Sequence, residues 1–156
     1  MAVSINIRKC SKDDTEPLSQ LIYRAIKHGF PGYYKETQIT ESQKHFLPDS
    51  LLEDLQCRYV AELDNSIVGT IGLIKHRDYE ETGLIRALFV DPSHQRKGIG
   101  TRLIRYVEGL AKTENWKYMR VRASFNGLDF YRVMGYEKLI EKEQSYDFSV
   151  RMIKTL

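Results

Sequence analysis

The sequence has few cysteines, no long apolar run and no large excess of either charge. Its two cysteines, Cys10 and Cys57, lie far apart and lack the spacing of metal ligands. We therefore expect no structural disulfide and no metal site, and a reducing, cytoplasmic compartment is the natural one. No apolar stretch approaches the length of a membrane span, so we expect no membrane partner.

The charges nearly balance, because 24 lysines and arginines stand against 21 aspartates and glutamates, for a net charge of +3. This excess is too small to indicate a nucleic-acid partner. Residues 1–8 have the alternation of a strand rather than the composition of a signal peptide. No repeat, linker or low-complexity segment interrupts the chain, so residues 1–156 are expected to form a single domain.

The spacing of apolar residues predicts an α/β chain in which a mixed sheet has helices on both faces. Apolar runs predict strands over residues 3–8, 58–63, 67–75, 84–90, 117–122, 136–142 and 147–153. Helical periodicity predicts helices over residues 11–29, 36–55, 98–112 and 126–134, the second being continuous or broken into two at Pro48. Residues 77–83 are predicted to form a polar hairpin loop. The helix over 98–112 is expected to bury Ile99, Leu103, Ile104, Val107 and Leu110.

The most informative stretch joins the strand that ends at Val90 to the helix that begins at Gly98. A short basic loop lies between them, and Gly98 and Gly100 open the helix. The first backbone N–H groups of a helix have no intrahelical acceptor, and the helix dipole adds partial positive charge there. Glycine lets a ligand approach the backbone closely. The stretch is therefore suited to binding a pyrophosphate.

Two common phosphate-binding loops do not fit this stretch. A Walker-type loop requires Gly-x4-Gly-Lys-Ser/Thr, whereas Lys97 precedes the first glycine and no lysine follows the second. A dinucleotide fingerprint requires a third glycine, and Leu103 occupies that position. The pattern that remains is Gln95-Arg96-Lys97-Gly98-Ile99-Gly100.

This hexapeptide resembles the acetyl-CoA loop, Gln/Arg-x-x-Gly-x-Gly/Ala, of the GNAT N-acetyltransferase superfamily. A second stretch, residues 124–136, resembles the same superfamily's later motif, Ser-Leu-Asn-Ala-x-x-Phe-Tyr-x-x-x-Gly-Phe, without a gap. Phe125, Gly127 and Tyr136 are conservative departures from it. The two motifs stand in the family's order and separation, so the resemblance extends over nearly the whole chain.

The resemblance implies a GNAT-like fold with a central, mostly antiparallel twisted sheet that splays at the acetyl-CoA site. It also implies an enzyme that binds acetyl-CoA and transfers its acetyl group to an amine. Backbone N–H groups of the strand would polarise the thioester oxygen, helped by a β-bulge, and either Ser124 or Asn126 would contact the pantetheine. The implied acetyl-CoA-binding residues are Leu88, Phe89, Val90, Gln95, Arg96, Lys97, Gly98, Ile99, Gly100, Thr101, Ser124 and Asn126.

Tyr131 corresponds to the tyrosine of the family's Phe-Tyr pair, and the resemblance makes it the general acid that protonates the leaving thiolate. The general base is left unassigned. The superfamily often uses a glutamate on a central strand, whereas this strand carries Arg86 and no acid. Glu80, Glu81 and His76 are the nearby groups that could relay a proton.

The acceptor site is expected between the first two helices and the far side of the splayed strands, where aromatic residues are concentrated. The candidate acceptor-binding residues are His28, Tyr33, Tyr34 and His76, with Phe30 beside them. The leading hypothesis is acetylation of a primary amine of a small molecule. The alternatives are a protein N-terminal or lysine acetyltransferase, with a peptide amine as acceptor, and a non-catalytic acetyl-CoA-binding module. A homodimer is a candidate assembly.

Overall fold

The structure is a computed structural model that describes residues 4–140 and 148–156. Its strands are β1 (Asn6–Lys9), β2 (Arg58–Leu63), β3 (Ser66–Lys75), β4 (Thr82–Val90), β5 (Tyr118–Ser124), β6 (Glu137–Lys138) and β7 (Ser149–Thr155). Its α-helices are α1 (Thr15–Gly29), α2 (Glu36–Lys44), α3 (Pro48–Leu52), α4 (Ile99–Thr113) and α5 (Leu128–Val133).

The strands follow the hydrogen-bonded order β1-β2-β3-β4-β5-β7-β6. Strand β4 pairs with β5 in parallel, whereas β1–β2, β2–β3, β5–β7 and β6–β7 are antiparallel. The sheet is therefore mixed and mostly antiparallel, which confirms the predicted fold class. None of the helices within the described residues combines the length and the apolar content that crossing a bilayer requires.

Residues of the chain group into two compact units. The first unit comprises residues 1–72 and 87–104, and the second comprises residues 73–86 and 105–156. Strands β3 and β4 and helix α4 each contribute residues to both units.

The core of the first unit is built on helix α1. Ser11 and Asp14 start the preceding 3-10 turn, where the Asp14 carboxylate accepts from the Ser11 backbone N–H at 2.7 Å. The helix then turns one apolar face inward, and its buried side chains pack with Cys10, Leu51 and Val60; these helical residues are Leu18, Leu21, Ile22 and Ile26.

The core of the second unit lies under strand β5, whose alternate residues are buried. These are Met119, Val121 and Ala123. A Cβ built on Gly83 would lie 2.8 Å from the Met119 sulfur and 2.9 Å from the Trp116 ring. Glycine is therefore required at position 83 for the indole to pack against β4.

This packing corrects one sequence-based boundary. Thr82 and Gly83 were expected in the hairpin loop, but they pair with Tyr118 and Met119 as the first residues of β4. Glycine is typical of loops, so the sequence pattern placed the loop end too late. Here the missing side chain makes room for a neighbour.

Other boundaries moved by a few residues. The predicted helix over 36–55 is two helices, as the break at Pro48 allowed, with Pro48 in the first turn of α3. The predicted helix over 126–134 is a 3-10 turn over Phe125–Gly127 followed by α5. Ala111 is buried in α4, whereas Leu110, expected to be buried, is only half-buried.

Strands β1, β6 and β7 also have other bounds than predicted: β1 is shorter, and β7 is shifted by two residues and ends at Thr155. Strand β1 begins at Asn6 and strand β7 begins at Ser149. The predicted strand over 136–142 is described only to residue 140, and within that part it is the two-residue strand β6. Val3 and residues 141–147 lie outside the described residues.

Candidate active site

Strand β4 changes its backbone conformation at Ala87. The parallel ladder with β5 runs from Thr82 to Ile85. Two residues later Ala87 has a φ of 50°, in the left-handed region that a residue with a Cβ rarely adopts. Ala87 directly precedes Leu88, Phe89 and Val90, the residues at which the resemblance implies a β-bulge and backbone donors.

The three residues after Ala87 are half-buried. Phe89 packs its ring edge-on against Phe46, with 5.3 Å between the ring centroids. The side chain of Phe89 therefore contributes to packing in the first unit.

Arg58 contacts the main chain at the irregular residue, and the sequence analysis did not identify it. It opens strand β2 and is 1% exposed. Its guanidinium donates to the Ala87 carbonyl at 3.3 Å and to the Thr70 hydroxyl at 3.4 Å. It also donates twice to Oδ2 of Asp54, at 2.6 and 3.2 Å. A strand that opens with arginine gave no signal of this burial.

Asp91 fixes the turn that leaves β4. Its carboxylate accepts from the backbone N–H of Ser93 at 3.1 Å and from the Ser93 hydroxyl at 2.9 Å. Arg24 of α1 donates to the other oxygen at 2.8 Å. Burial alone would raise the pKa of Asp91, but the bonds from Arg24 and Ser93 lower it below its usual value. Asp91 is therefore a stable anion that holds the turn.

The loop that follows is exposed from Gln95 to Gly98. Arg96 and Gly98 have φ values of 63° and 78°. The Gly98 carbonyl accepts from the Arg102 N–H at 3.1 Å, so Gly98 is the residue that caps α4. Glycine has no side chain to cap the first N–H groups of the helix, and a Cβ there would meet nothing within 4 Å. The space beside Gly98, at the start of α4, is therefore open.

Residues after Gly98 differ in what they can offer a ligand. The side chain of Ile99 is 1% exposed and packs in the first unit against β3 at Gly69, where an added Cβ would lie 3.0 Å from it. Ile99 can therefore present only its N–H. Gly100 and Thr101 are half-buried in the first turn of α4.

The second unit carries the other motif. Ser124 is the last residue of β5, and Asn126 lies in the 3-10 turn that follows. The Asn126 side-chain oxygen is buried and has no hydrogen-bond partner among the described residues. A buried amide oxygen without a partner is costly, so this atom is suited to accept from a ligand N–H.

Tyr131 lies in α5 and is 6% exposed. Its ring packs edge-on against the rings of Phe130 and Tyr136, with 5.3 and 5.7 Å between the ring centroids. Its hydroxyl makes no hydrogen bond to another described residue. Burial raises the pKa of Tyr131, so the phenol keeps its proton at neutral pH.

Tyr136 has a different environment. Its hydroxyl donates to Oε2 of Glu108 at 2.8 Å, and Lys154 lies 3.0 Å from the same oxygen. Burial, together with the Glu108 carboxylate, raises the pKa of Tyr136. The hydroxyl is committed to a structural network.

The candidate acceptor residues of the first unit follow the end of α1. His28 and Tyr33 are exposed, while Tyr34 is half-buried and lies against Phe30 with 4.8 Å between ring centroids. The structure brings Tyr34 and Phe30 together but leaves the other two at the surface.

His76 belongs to the second unit, at the end of β3. Its Nδ1 accepts from the Asp78 backbone N–H at 3.1 Å, and its ring packs on Tyr79 at 4.8 Å. Burial, with the charge of Arg120, lowers the pKa of His76. In the neutral ring with this bond, Nε2 carries the hydrogen and Nδ1 is occupied. His76 therefore serves the turn and has no lone pair left for a substrate proton.

The two glutamates near His76 are exposed. Glu81 has a φ of 51° and lies 3.3 Å from the Lys117 ammonium group. Neither glutamate has the buried setting of a tuned general base. Within the described part of the chain, no group of three histidine, cysteine, aspartate or glutamate residues could hold a metal ion.

The chain is similar to known proteins over the region that contains both motifs. A family model described as the acetyltransferase (GNAT) family matches residues 20–136, well over half of the chain. The chain belongs to the acetyltransferase (GNAT) family. An uncharacterized N-acetyltransferase of Methanocaldococcus jannaschii is 26% identical over 157 residues, which cover 96% of this chain and 66% of that protein. The chain thus spans about two thirds of that relative's length.

Solved structures of GNAT proteins share the fold. The PaiA N-acetyltransferase of Thermoplasma acidophilum, in complex with coenzyme A, has a TM-score of 0.84 and 22% identity, over 98% of this chain and 99% of that one. A GCN5-related N-acetyltransferase of Rhodopseudomonas palustris has the same TM-score and identity, over 100% and 99%. N-acetylglutamate synthase of Neisseria gonorrhoeae, with coenzyme A and N-acetyl-glutamate, has 0.77 and 17%, over 100% of this chain and 36% of that one. These likenesses confirm the predicted GNAT fold.

Proposed function

We propose that this GNAT protein transfers the acetyl group of acetyl-CoA to a primary amine of a small molecule. The observation that carries the proposal is the conformation of Ala87, at a φ of 50° immediately before Leu88. An alanine adopts this conformation at a cost, and such strain is typical of functional sites. Membership of the GNAT family indicates that the reaction at this strained strand is acetyl transfer.

Acetyl-CoA supplies an acetyl group activated as a thioester. The backbone N–H groups of Leu88, Phe89 and Val90 are the donors proposed to stabilise the negative charge that develops on the thioester oxygen. Backbone donors suit this task because they are fixed before the reaction begins. Asp91 holds the strand end that carries them, through Arg24 and Ser93.

The pyrophosphate is proposed to bind the N–H groups of residues 95–101. Gly98 caps α4 without a side chain, and the space beside it is open. The exposed side chains of Gln95, Arg96 and Lys97 add polar and positive groups to the same loop. A helix N-terminus of this kind favours an anion through its unpaired donors and its dipole.

An amide N–H of the pantetheine is proposed to donate a hydrogen bond to the side-chain oxygen of Asn126. This choice between Ser124 and Asn126 rests on the burial of that oxygen and on its lack of a partner among the described residues. A Cβ on Gly127 would lie 3.3 Å from the Ser124 hydroxyl and 3.6 Å from the Tyr131 ring. The Ser124 distance is tighter than an ordinary contact and the Tyr131 distance is not, so the missing side chain of Gly127 makes room for the Ser124 hydroxyl.

Tyr131 is proposed to protonate the departing thiolate. It is protonated at neutral pH, since its pKa is raised by burial. A phenol with a raised pKa is a weak acid, so the thiolate must also be a strong base where it forms. Burial raises the pKa of a thiol as it does that of a phenol, so a desolvated thiolate would be a stronger base than one in water.

The attacking amine must be neutral, whereas a free alkyl amine has a pKa of about 10. Beside the proposed residues of β4, the buried carboxylate is that of Asp91, and it already accepts hydrogen bonds from Arg24 and Ser93. We therefore propose that the proton leaves through water and that the substrate amine itself sets the pH dependence.

A nucleic-acid acceptor is not proposed, because a net charge of only +3 is a small basic excess for such a partner. The aromatic pair Phe30 and Tyr34, with Tyr33 and His28 nearby in sequence, is the proposed acceptor contact. Rings of this kind suit an amine cation or an apolar acceptor body.

To test this proposal, the protein is incubated with acetyl-CoA and each of three sets of acceptors at matched concentrations, and the release of free thiol is followed. The sets are small primary amines, peptides with free N-termini, and peptides with lysine and blocked N-termini. We expect thiol release with one or more small amines, at a kcat/KM well above the value for either set of peptides. Preference for a peptide set would make the protein a protein acetyltransferase. Binding of coenzyme A by calorimetry without release from any set would make it a non-catalytic module.

A further inference from the structure

Arg58 is an unusual residue to find in the core of the first unit. It is 1% exposed, and arginine is rarely buried unless its charge is compensated. Asp54 provides that compensation, since its Oδ2 accepts two guanidinium bonds. A well-packed apolar residue would fill the same volume without the cost of burying a charge pair. The position of the remaining guanidinium donors therefore needs a reason.

One of those donors reaches the strained residue of β4. Nη1 of Arg58 donates to the Ala87 carbonyl at 3.3 Å and to the Thr70 hydroxyl at 3.4 Å. Thr70 is itself held, because its hydroxyl donates to the Tyr59 carbonyl at 2.8 Å. The guanidinium is thus fixed from two sides, by Asp54 and by Thr70, and presents a donor to Ala87.

The bond to Ala87 sets the direction of a second group. The carbonyl of Ala87 and the N–H of Leu88 belong to one planar trans peptide, so they point in opposite directions. A guanidinium that holds the Ala87 carbonyl also fixes where the Leu88 N–H points. It also favours the positive φ of Ala87, which this residue would not adopt alone.

We infer that Arg58 is a positioning residue for acetyl transfer: by holding the Ala87 carbonyl, it aims the Leu88 N–H at the thioester oxygen. This inference rests on the proposed function, in which Leu88 contributes such a donor. Arg58 touches no substrate. It acts through one peptide group, and Asp54 keeps its charge in place.

The test compares Arg58→Met with Arg8→Met in the full chain. Arg8 is the matched control, because it is also an arginine of the first unit bonded to carboxylates, those of Asp14 and Glu62, and its hydrogen bonds to described residues do not reach β4. Both variants should lose stability. Arg58→Met alone should lower kcat by about 10- to 100-fold, somewhat less than the loss of a whole oxyanion donor, with the affinity for coenzyme A unchanged.

A second substitution distinguishes a changed direction of the Leu88 N–H from a general loss of rigidity. Glycine adopts a positive φ at no cost, so Ala87→Gly in the Arg58→Met background should recover at least part of the lost kcat. The carbonyl stretch of bound acetyl-CoA labelled with ¹³C gives a direct signature. It should shift to lower frequency less in Arg58→Met than in the parent and in Arg8→Met, because the oxygen is less polarised.

The outcomes separate this inference from the proposed function. A parent that transfers no acetyl group to any amine contradicts the proposed function. A parent that is active, with Arg58→Met no slower than Arg8→Met, overturns the role of Arg58 alone. If Arg58→Met does not fold, Arg58→Lys replaces it, because an ammonium can keep Asp54 paired while losing the fixed fork that also reaches Ala87. The same comparison with Arg8→Met then decides.

Discussion

The hydroxyl of Tyr136 donates to the Glu108 carboxylate over 2.8 Å, with both side chains buried in the second unit. Tyr131 packs its ring on Tyr136 at 5.7 Å, yet its own hydroxyl bonds to no other described residue. Two neighbouring tyrosines of one motif therefore have different environments. One is held in a structural network, and the other is the proposed general acid.

Tyr131→Phe should lower kcat by about 10- to 1,000-fold, the range for a general acid and somewhat below it. The substitution removes one oxygen that bonds no described residue, so the melting temperature and the affinity for coenzyme A should hardly change. Steady-state kinetics and calorimetry on the same preparation measure all three. An unchanged kcat across the pH range would assign Tyr131 to packing.

Tyr136→Phe is the matched control and should do the opposite. It leaves the buried Glu108 carboxylate short of one donor, which should lower the free energy of unfolding by about 1–3 kcal/mol. The kcat of the folded fraction should stay close to that of the parent. Urea unfolding followed by fluorescence measures the loss, and an equally stable variant would show that Lys154 alone satisfies Glu108.

Gly100→Glu should weaken coenzyme A binding by at least about tenfold, since it sets a negative charge beside the proposed pyrophosphate site. Gly109→Glu is its control, because Gly109 lies in the same helix, is exposed and has open space around it. Calorimetry should show parental affinity for the control. If both variants bind alike, residues 95–101 do not hold the pyrophosphate.

The ion pair between Arg8 and Asp14 should make stability depend on acid pH. The hydrogen bond from Arg8 lowers the pKa of Asp14 to about 2 in the folded chain, below the unfolded value of about 3.9. Its stabilising contribution is therefore complete above about pH 4 and is lost as the pH falls toward 2. Asp14→Asn should reduce the change in the free energy of unfolding with pH over this window. Asp13→Asn, which alters an exposed neighbouring residue, should leave that pH dependence unchanged.

The absence of a dedicated base predicts a graded result. Glu80→Gln, Glu81→Gln and His76→Ala should each reduce kcat/KM by less than about tenfold, or about 1.4 kcal/mol of transition-state stabilisation. The rate should rise with pH as the substrate amine deprotonates. Loss of turnover in one of the three, with coenzyme A still bound, would identify that residue as the base.

Much of the fold could be predicted because its signals are local. Strand β2 runs over Arg58–Leu63 as its apolar pattern predicts, and the turn at Asp64 and Asn65 has the positive φ values such residues accept. The Gly-rich start of α4 and the Tyr131 motif were recognisable from their spacing. The family follows from the same residues.

The missed features depend on contacts distant in sequence. Gly83 belongs to a strand because Trp116 needs its space, and no local pattern records that. Alanine is not a residue that signals a positive φ, so the conformation of Ala87 could be expected only through the resemblance. Arg58 opens a strand like any surface arginine, and only the folded chain brings it to Asp54 and Ala87.

The measurement that tests the central claim most directly is the stoichiometry of acetyl transfer. The protein is incubated with acetyl-CoA carrying a ¹³C acetyl group and with a panel of small primary amines, and free thiol and labelled amide are quantified together. We expect one labelled N-acetyl product for each thiol released, with Tyr131→Phe slowing both equally. Thiol release without labelled amide, or no release from any amine, would contradict that claim.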